Sequence, residues 1–159
     1  MHGGVDFVAT PLISGSIEAG YLSQSYENAE IPAIDGLSFA GRLKWLFTPL
    51  MTVSFMGERK VAETTTPGFG GRLDTTLGAQ VDYELLRNVI LFAGVRFTQQ
   101  DFNDPGRRDD LLKASAGIEY LMNRHLRLNA RYEYTDRNSS LPAFSFDRHM
   151  VMFNATAQH

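Results

Sequence analysis

The feature that most constrains this chain is an alternation of apolar and polar residues with a period of two, sustained over long stretches. It is clearest at residues 126–136, where Leu126, Leu128, Ala130, Tyr132 and Tyr134 alternate with Arg127, Asn129, Arg131, Glu133 and Thr135. Successive side chains of a strand point to opposite faces, so this period makes an extended segment with one apolar face and one charged face. It cannot make a single apolar stripe on a helix.

Turn-forming residues divide the chain into nine predicted strands, at residues 3–9, 14–25, 37–47, 51–62, 72–86, 89–101, 111–122, 125–136 and 146–158. Four links are minimal: Thr10-Pro11-Leu12, Thr48-Pro49-Leu50, Arg87-Asn88 and Asn123-Arg124. The other four, at residues 26–36, 63–71, 102–110 and 137–145, are longer and rich in Gly, Pro, Asp, Asn and Ser. Short and long links alternate strictly, and Thr-Pro-Leu recurs at equivalent turns. The expected fold class is therefore all-β, an antiparallel up-and-down meander of about nine long strands. A solenoid of helix pairs would need a period of ~3.6 residues, which is missing. At 159 residues the chain is expected to be one domain, spanning residues 1–159.

Strands of soluble sheets are most often ~5–6 residues long, whereas these alternations run further. Long strands with short turns at one end and longer loops at the other match the plan of a transmembrane β-barrel in a bacterial outer membrane, or the C-terminal section of one. No apolar run reaches the ~18 residues of a spanning helix, since residues 89–95 end at Arg96. That excludes a helical membrane protein but not a barrel, whose strands are half polar. The absence of cysteine removes disulfides, thiolate nucleophiles and Cys zinc sites, and a net charge of -3 offers no basic footprint for nucleic acid.

In a membrane barrel the apolar face meets lipid. On it lie the aromatics Trp45, Phe47, Tyr83 and Tyr120 beside the short turns, and Tyr21, Phe97, Tyr132 and Tyr134 towards the long loops. Two such bands around Leu, Val, Ala and Ile fit the two membrane interfaces. The lumen-facing set is then Arg42, Lys44, Glu58, Lys60, Asp82, Glu84, Arg96, Lys113, Glu119, Arg127, Arg131 and Glu133, with both signs interspersed. Arg59 shares the apolar face with Val53, Phe55 and Val61, at a position from which it can snorkel. Alternation alone also admits a soluble ligand-binding barrel with its apolar face inward, and the surroundings of Leu91, Ala93 and Val95 discriminate. An odd strand count leaves three alternatives: N-terminal truncation, closure of the last eight strands with residues 3–9 as an appendage, or pairing of protomers through open edges. The functional alternative to a pore is a non-conducting structural or adhesion barrel of eight strands, plugged by paired charges.

From about Gly36 to Gln158 the chain resembles a family of outer-membrane β-barrel porins of proteobacteria, often encoded with exopolysaccharide assembly systems. The likeness is carried by Tyr83-Glu84-Leu85-Leu86-Arg87-Asn88, Arg107-Arg108-Asp109-Asp110, Tyr120-Leu121-Met122-Asn123-Arg124, Tyr132-Glu133-Tyr134-Thr135-Asp136-Arg137, Phe146-Asp147-Arg148-His149 and Thr156-Ala157-Gln158. Members are longer and begin with a signal peptide, so the chain looks like the C-terminal part of one, truncated at the N-terminus. The resemblance implies an outer-membrane location, passive passage of small hydrophilic solutes and a possible accessory role in exopolysaccharide export. The implied partners are the lipid bilayer, the barrel-assembly machinery and exopolysaccharide export components. His159 departs from the terminal aromatic by which that machinery often marks a last strand.

No catalytic, cofactor or metal site is expected. Asp101, Asn103 and Gly106 match three positions of a calcium loop, but Pro105 and Leu112 stand where ligands belong. Gly68-Phe69-Gly70-Gly71 lacks the Lys-Ser/Thr of a phosphate loop and reads as turn chemistry. His2, His125, His149 and His159 lack metal-ligand spacing, and no local motif assembles a Ser, His and acid set, so the chain is not expected to be an enzyme.

Overall fold

A computed structural model describes residues 2–24, 34–62, 72–102 and 107–157. It contains nine strands: β1 (His2–Thr10), β2 (Ile13–Gln24), β3 (Ile34–Thr48), β4 (Met51–Ala62), β5 (Arg72–Leu86), β6 (Val89–Phe102), β7 (Arg108–Leu121), β8 (Leu126–Ser139) and β9 (Phe146–Ala157). They form one sheet in sequence order, every neighbour antiparallel, as the alternating short and long links require. β4 and β5 have the expected bounds. β7 begins three residues early and β8 ends three late, for a reason given below, and a short 3-10 helix, Pro142–Phe144, lies in the link before β9. Ser25, Gln158, His159, the Gly68–Gly71 turn and residues 103–106 of the calcium-like segment lie outside the described residues.

The short turns repeat in detail. Leu12 N–H donates to Thr10 Oγ1 and Leu50 N–H to Thr48 Oγ1, both at 3.3 Å. At the Asn123 turn, Asn123 Oδ1 accepts from the backbone of His125 (2.8 Å) and Leu126 (2.9 Å), so a side chain satisfies donors that the ladder cannot reach. Turns also bond across to the next hairpin, through Leu46 N–H to Leu12 O and Glu84 N–H to Leu50 O, both at 2.8 Å.

Burial is inside out. Among the described residues the buried apolar core is a single side chain, Phe92, while Asp74, Gln100, Arg107, Asp109, Thr135 and Ser139 are buried. Large apolar side chains stand in the open instead, among them Leu77 (60% exposed), Val151 (61%) and Phe153 (79%). So much contiguous apolar surface is unsupportable in water and calls for an apolar surrounding medium. No helix among the described residues is long and apolar enough to cross a membrane. Leu91, Ala93 and Val95 lie on this apolar face, with Val95 48% exposed. A soluble barrel would turn these residues inward.

Candidate functional site: the concave wall

Residues directly opposite one another across a ladder share a face, so the register assigns every side chain to one side of the sheet. One lateral row runs Ser16, Arg42, Met56, Gly78, Arg96, Lys113, Thr135. The next row towards the short turns runs Ser14, Lys44, Ser54, Gln80, Gly94, Ser115, Glu133. Residues of both rows, all but Thr135, line a trough of about 710 Å³ that draws on strands from β1 to β8, so this is the concave face. All twelve residues expected to face a lumen lie on it, because each keeps the parity of these rows.

The opposite, convex face carries Trp45, Phe47, Tyr83, Phe97, Tyr120, Tyr132 and Tyr134, together with the exposed Arg59. Trp45 meets Phe47 edge to face at 5.0 Å, and Tyr132 Oη is bonded to His149 Nδ1 at 2.6 Å. The register places Trp45 and Tyr132 in one lateral row, although chain position assigns them to opposite ends. Barrel strands tilt and stagger, so such a row climbs along the axis and a shared row is not a shared depth.

Several charges at the two ends of the concave wall are paired, and Asp82 accepts from the Gln80 amide at 2.9 Å. Towards the short turns Arg127 meets Glu119 at 3.1 Å. Towards the long loops Lys60 meets Glu58 at 3.1 Å and Arg72 meets Asp74 at 3.0 Å. Beyond the apolar belt of the convex face lies a buried knot around Asp109, which is fully inaccessible. Arg107 donates to it through Nε (3.2 Å) and Nη2 (2.8 Å), Arg137 through Nε (3.2 Å) and Nη2, and Ser139 through its hydroxyl. The Arg107 guanidinium is held between the rings of Phe144 (3.8 Å) and Phe102 (4.4 Å). Burial alone would raise the Asp109 pKa, but the bonds from Arg107, Ser139 and Arg137, with the charge of Arg137, outweigh it and hold the carboxyl at about 2.

This knot extends β7 and β8 beyond their expected ends. Arg107-Arg108-Asp109-Asp110 has the composition of a loop, yet it alternates: Asp109 faces inward against Ser139, and Asp110 outward against Asn138. Phe92 was also missed. It lies on the concave face opposite Gly117, where a Cβ would come within 2.3 Å of the Phe92 ring and 2.5 Å of Ala130 O, so glycine alone admits it. Arg131 lies over that ring at 4.8 Å. The one available signal was Gly117 in the middle of an otherwise regular strand.

The eight-strand closure is not observed: β1 continues the sheet beyond β2, and among the described residues neither pairs with β9. No cluster of three or more His, Asp or Glu able to hold a metal ion occurs among the described residues.

A model of the family described as "Putative beta-barrel porin 2" matches residues 1–159. Among solved structures the chain is similar to a loop L8 deletion mutant of OmpT, an outer membrane protein of Vibrio cholerae, with a TM-score of 0.69 and 12% identity over 96% of this chain and 51% of that one. In-vitro folded OmpT gives a TM-score of 0.62 at 13% identity with the same coverage. OmpT expressed in the outer membrane gives 0.57 at 12%, over 86% of this chain and 46% of that one. The chain thus spans about half the length of these structures. Comparison with curated proteins gives no match.

Proposed function

The chain belongs to the "Putative beta-barrel porin 2" family and is a porin-like β-barrel protein of a bacterial outer membrane, and from this we propose that its concave wall lines a water-filled path for small hydrophilic solutes. The observation that carries the reading is the sidedness of the sheet: the twelve charged residues expected at a lumen share the concave face with further charges, and the apolar surface is turned outward. A wall of that kind offers water and ions a surface they wet, and offers lipid one they do not. Passage is passive, since diffusion along a wetted wall needs no moving part. An accessory role in exopolysaccharide export is the narrower version of the same function. It rests on the genetic company kept by the family that the sequence resembles.

The protein purified from outer membranes and inserted into planar bilayers is expected to give stepwise conductance, with heat-modifiable gel mobility as the check that the barrel is folded. A folded sample that stays silent would overturn passage and leave a structural barrel.

A further inference from the structure

We propose that the middle of the concave wall is a recognition belt for small solutes bearing phosphate or carboxylate groups. This names the solute class of the pore proposed above and rests on that reading. Arg42, Arg96 and Lys113 share one lateral row, with Lys44 one row nearer the short turns and Arg131 one beyond it. All five line the trough, where the carboxylates are Asp6 and Glu133 alone. Glu133 stands 3.8 Å from Lys113. Among the described residues no carboxylate lies within ion-pair distance of Arg42, Lys44 or Arg96, and the Arg96 guanidinium reaches only the Met56 sulfur at 3.5 Å.

Two features set the belt apart from a solvated charged face. First, several cations elsewhere on the wall have a carboxylate in place, as Lys60 has Glu58, Arg127 has Glu119 and Arg72 has Asp74, whereas among the described residues Arg42, Lys44 and Arg96 have none within ion-pair distance. In the middle, Arg96 stands directly opposite Lys113, a like-charge pair that disfavours the sheet; Glu133 at 3.8 Å offsets Lys113 alone, so Arg96 keeps no counter-charge among the described residues. Second, the belt has room and neutral donors. Gly78 and Gly94 put no side chain on the floor beside Arg96, while Ser54, Gln80 and Ser115 line the trough. Arg131 is braced over Phe92, which presets its planar fork for an oxyanion.

The test uses the whole protein from outer membranes, in two measurements. In planar bilayers under a potassium chloride gradient, the reversal potential should report anion preference. The Arg96→Gln/Lys113→Gln double variant should lower the chloride-to-potassium permeability ratio about threefold, whereas Arg127→Gln, whose charge is already cancelled, should change it little. In detergent, calorimetric titration with inorganic phosphate should show saturable binding that the double variant loses. Arg42→Gln gives a second, single-charge variant should the double variant fail the heat-modifiability check. A conducting pore whose selectivity is unchanged in the variants, or which prefers potassium, overturns the belt and leaves the porin reading standing. A silent, folded barrel that binds phosphate at these residues overturns the pore and supports the belt as a binding site. A silent barrel that binds none overturns both.

Discussion

Asp109 shows what one side chain can do for the outer end of this sheet. It gathers Arg107, just before β7, and Arg137 and Ser139, at the end of the neighbouring β8, and is wholly removed from solvent, so its charge is what makes their burial tolerable. Asp109→Asn keeps the volume but strands the Arg107 guanidinium, and should lower stability by about 3–5 kcal/mol, read from urea unfolding of the folded barrel. Because its folded pKa of about 2 is lower than the ordinary carboxylate value, the native contribution is complete above pH ~4. It is lost as pH falls through about 2, so the wild-type and Asn unfolding midpoints should converge at the acid end and separate above it. A gap independent of pH would mean that the carboxylate charge is not what holds the knot. None of this was legible in the sequence. Arg107-Arg108-Asp109-Asp110 looks like solvated loop chemistry until the register is known, and Arg137 and Ser139 are partners only because β8 returns beside β7.

At the scale of the strand, almost everything was legible. A period of two is a local property, so β4 and β5 could be bounded to the residue and every lumen-facing candidate assigned to its face without knowing a single long-range contact. What failed were positions whose reason lies on a neighbouring strand, such as Phe92 over Gly117. The apolar convex face of β6, from Val89 to Phe97, also has a physical length. At about 3.3 Å per residue and a tilt of about 40°, it covers roughly 20 Å of depth, close to the ~25 Å apolar band of an outer-membrane barrel. Val95, between Ala79 and Ala114 on the convex side, lies within that stretch. Val95→Arg should cost about 2–4 kcal/mol in liposomes, and Ser115→Arg, on the concave side of the adjacent strand, less than about 1 kcal/mol. Equal penalties at the two positions would sink the assignment of the convex face to lipid.

At the scale of the whole sheet, the meander decides which strand direction suits each edge. In hydrocarbon the free edges of β1 and β9 cannot remain bare, since each presents backbone donors and acceptors that lipid does not satisfy. Eight antiparallel steps separate these two strands, so both run in the same direction. Two copies inserted the same way would therefore meet β9 to β1 in parallel, and an antiparallel seam would need one copy upside down, its long loops on the wrong side of the membrane. The native chain has no cysteine, so Val5→Cys and Val151→Cys in separate copies provide a clean probe of the seam. No disulfide between copies is expected in membranes, and an efficient one would show that copies do join there. The direction of traffic along the two edges thus sets what fits against either of them: a stave running the opposite way lies flush in an antiparallel seam, and one running the same way is joined by the slanted bonds of a parallel pair.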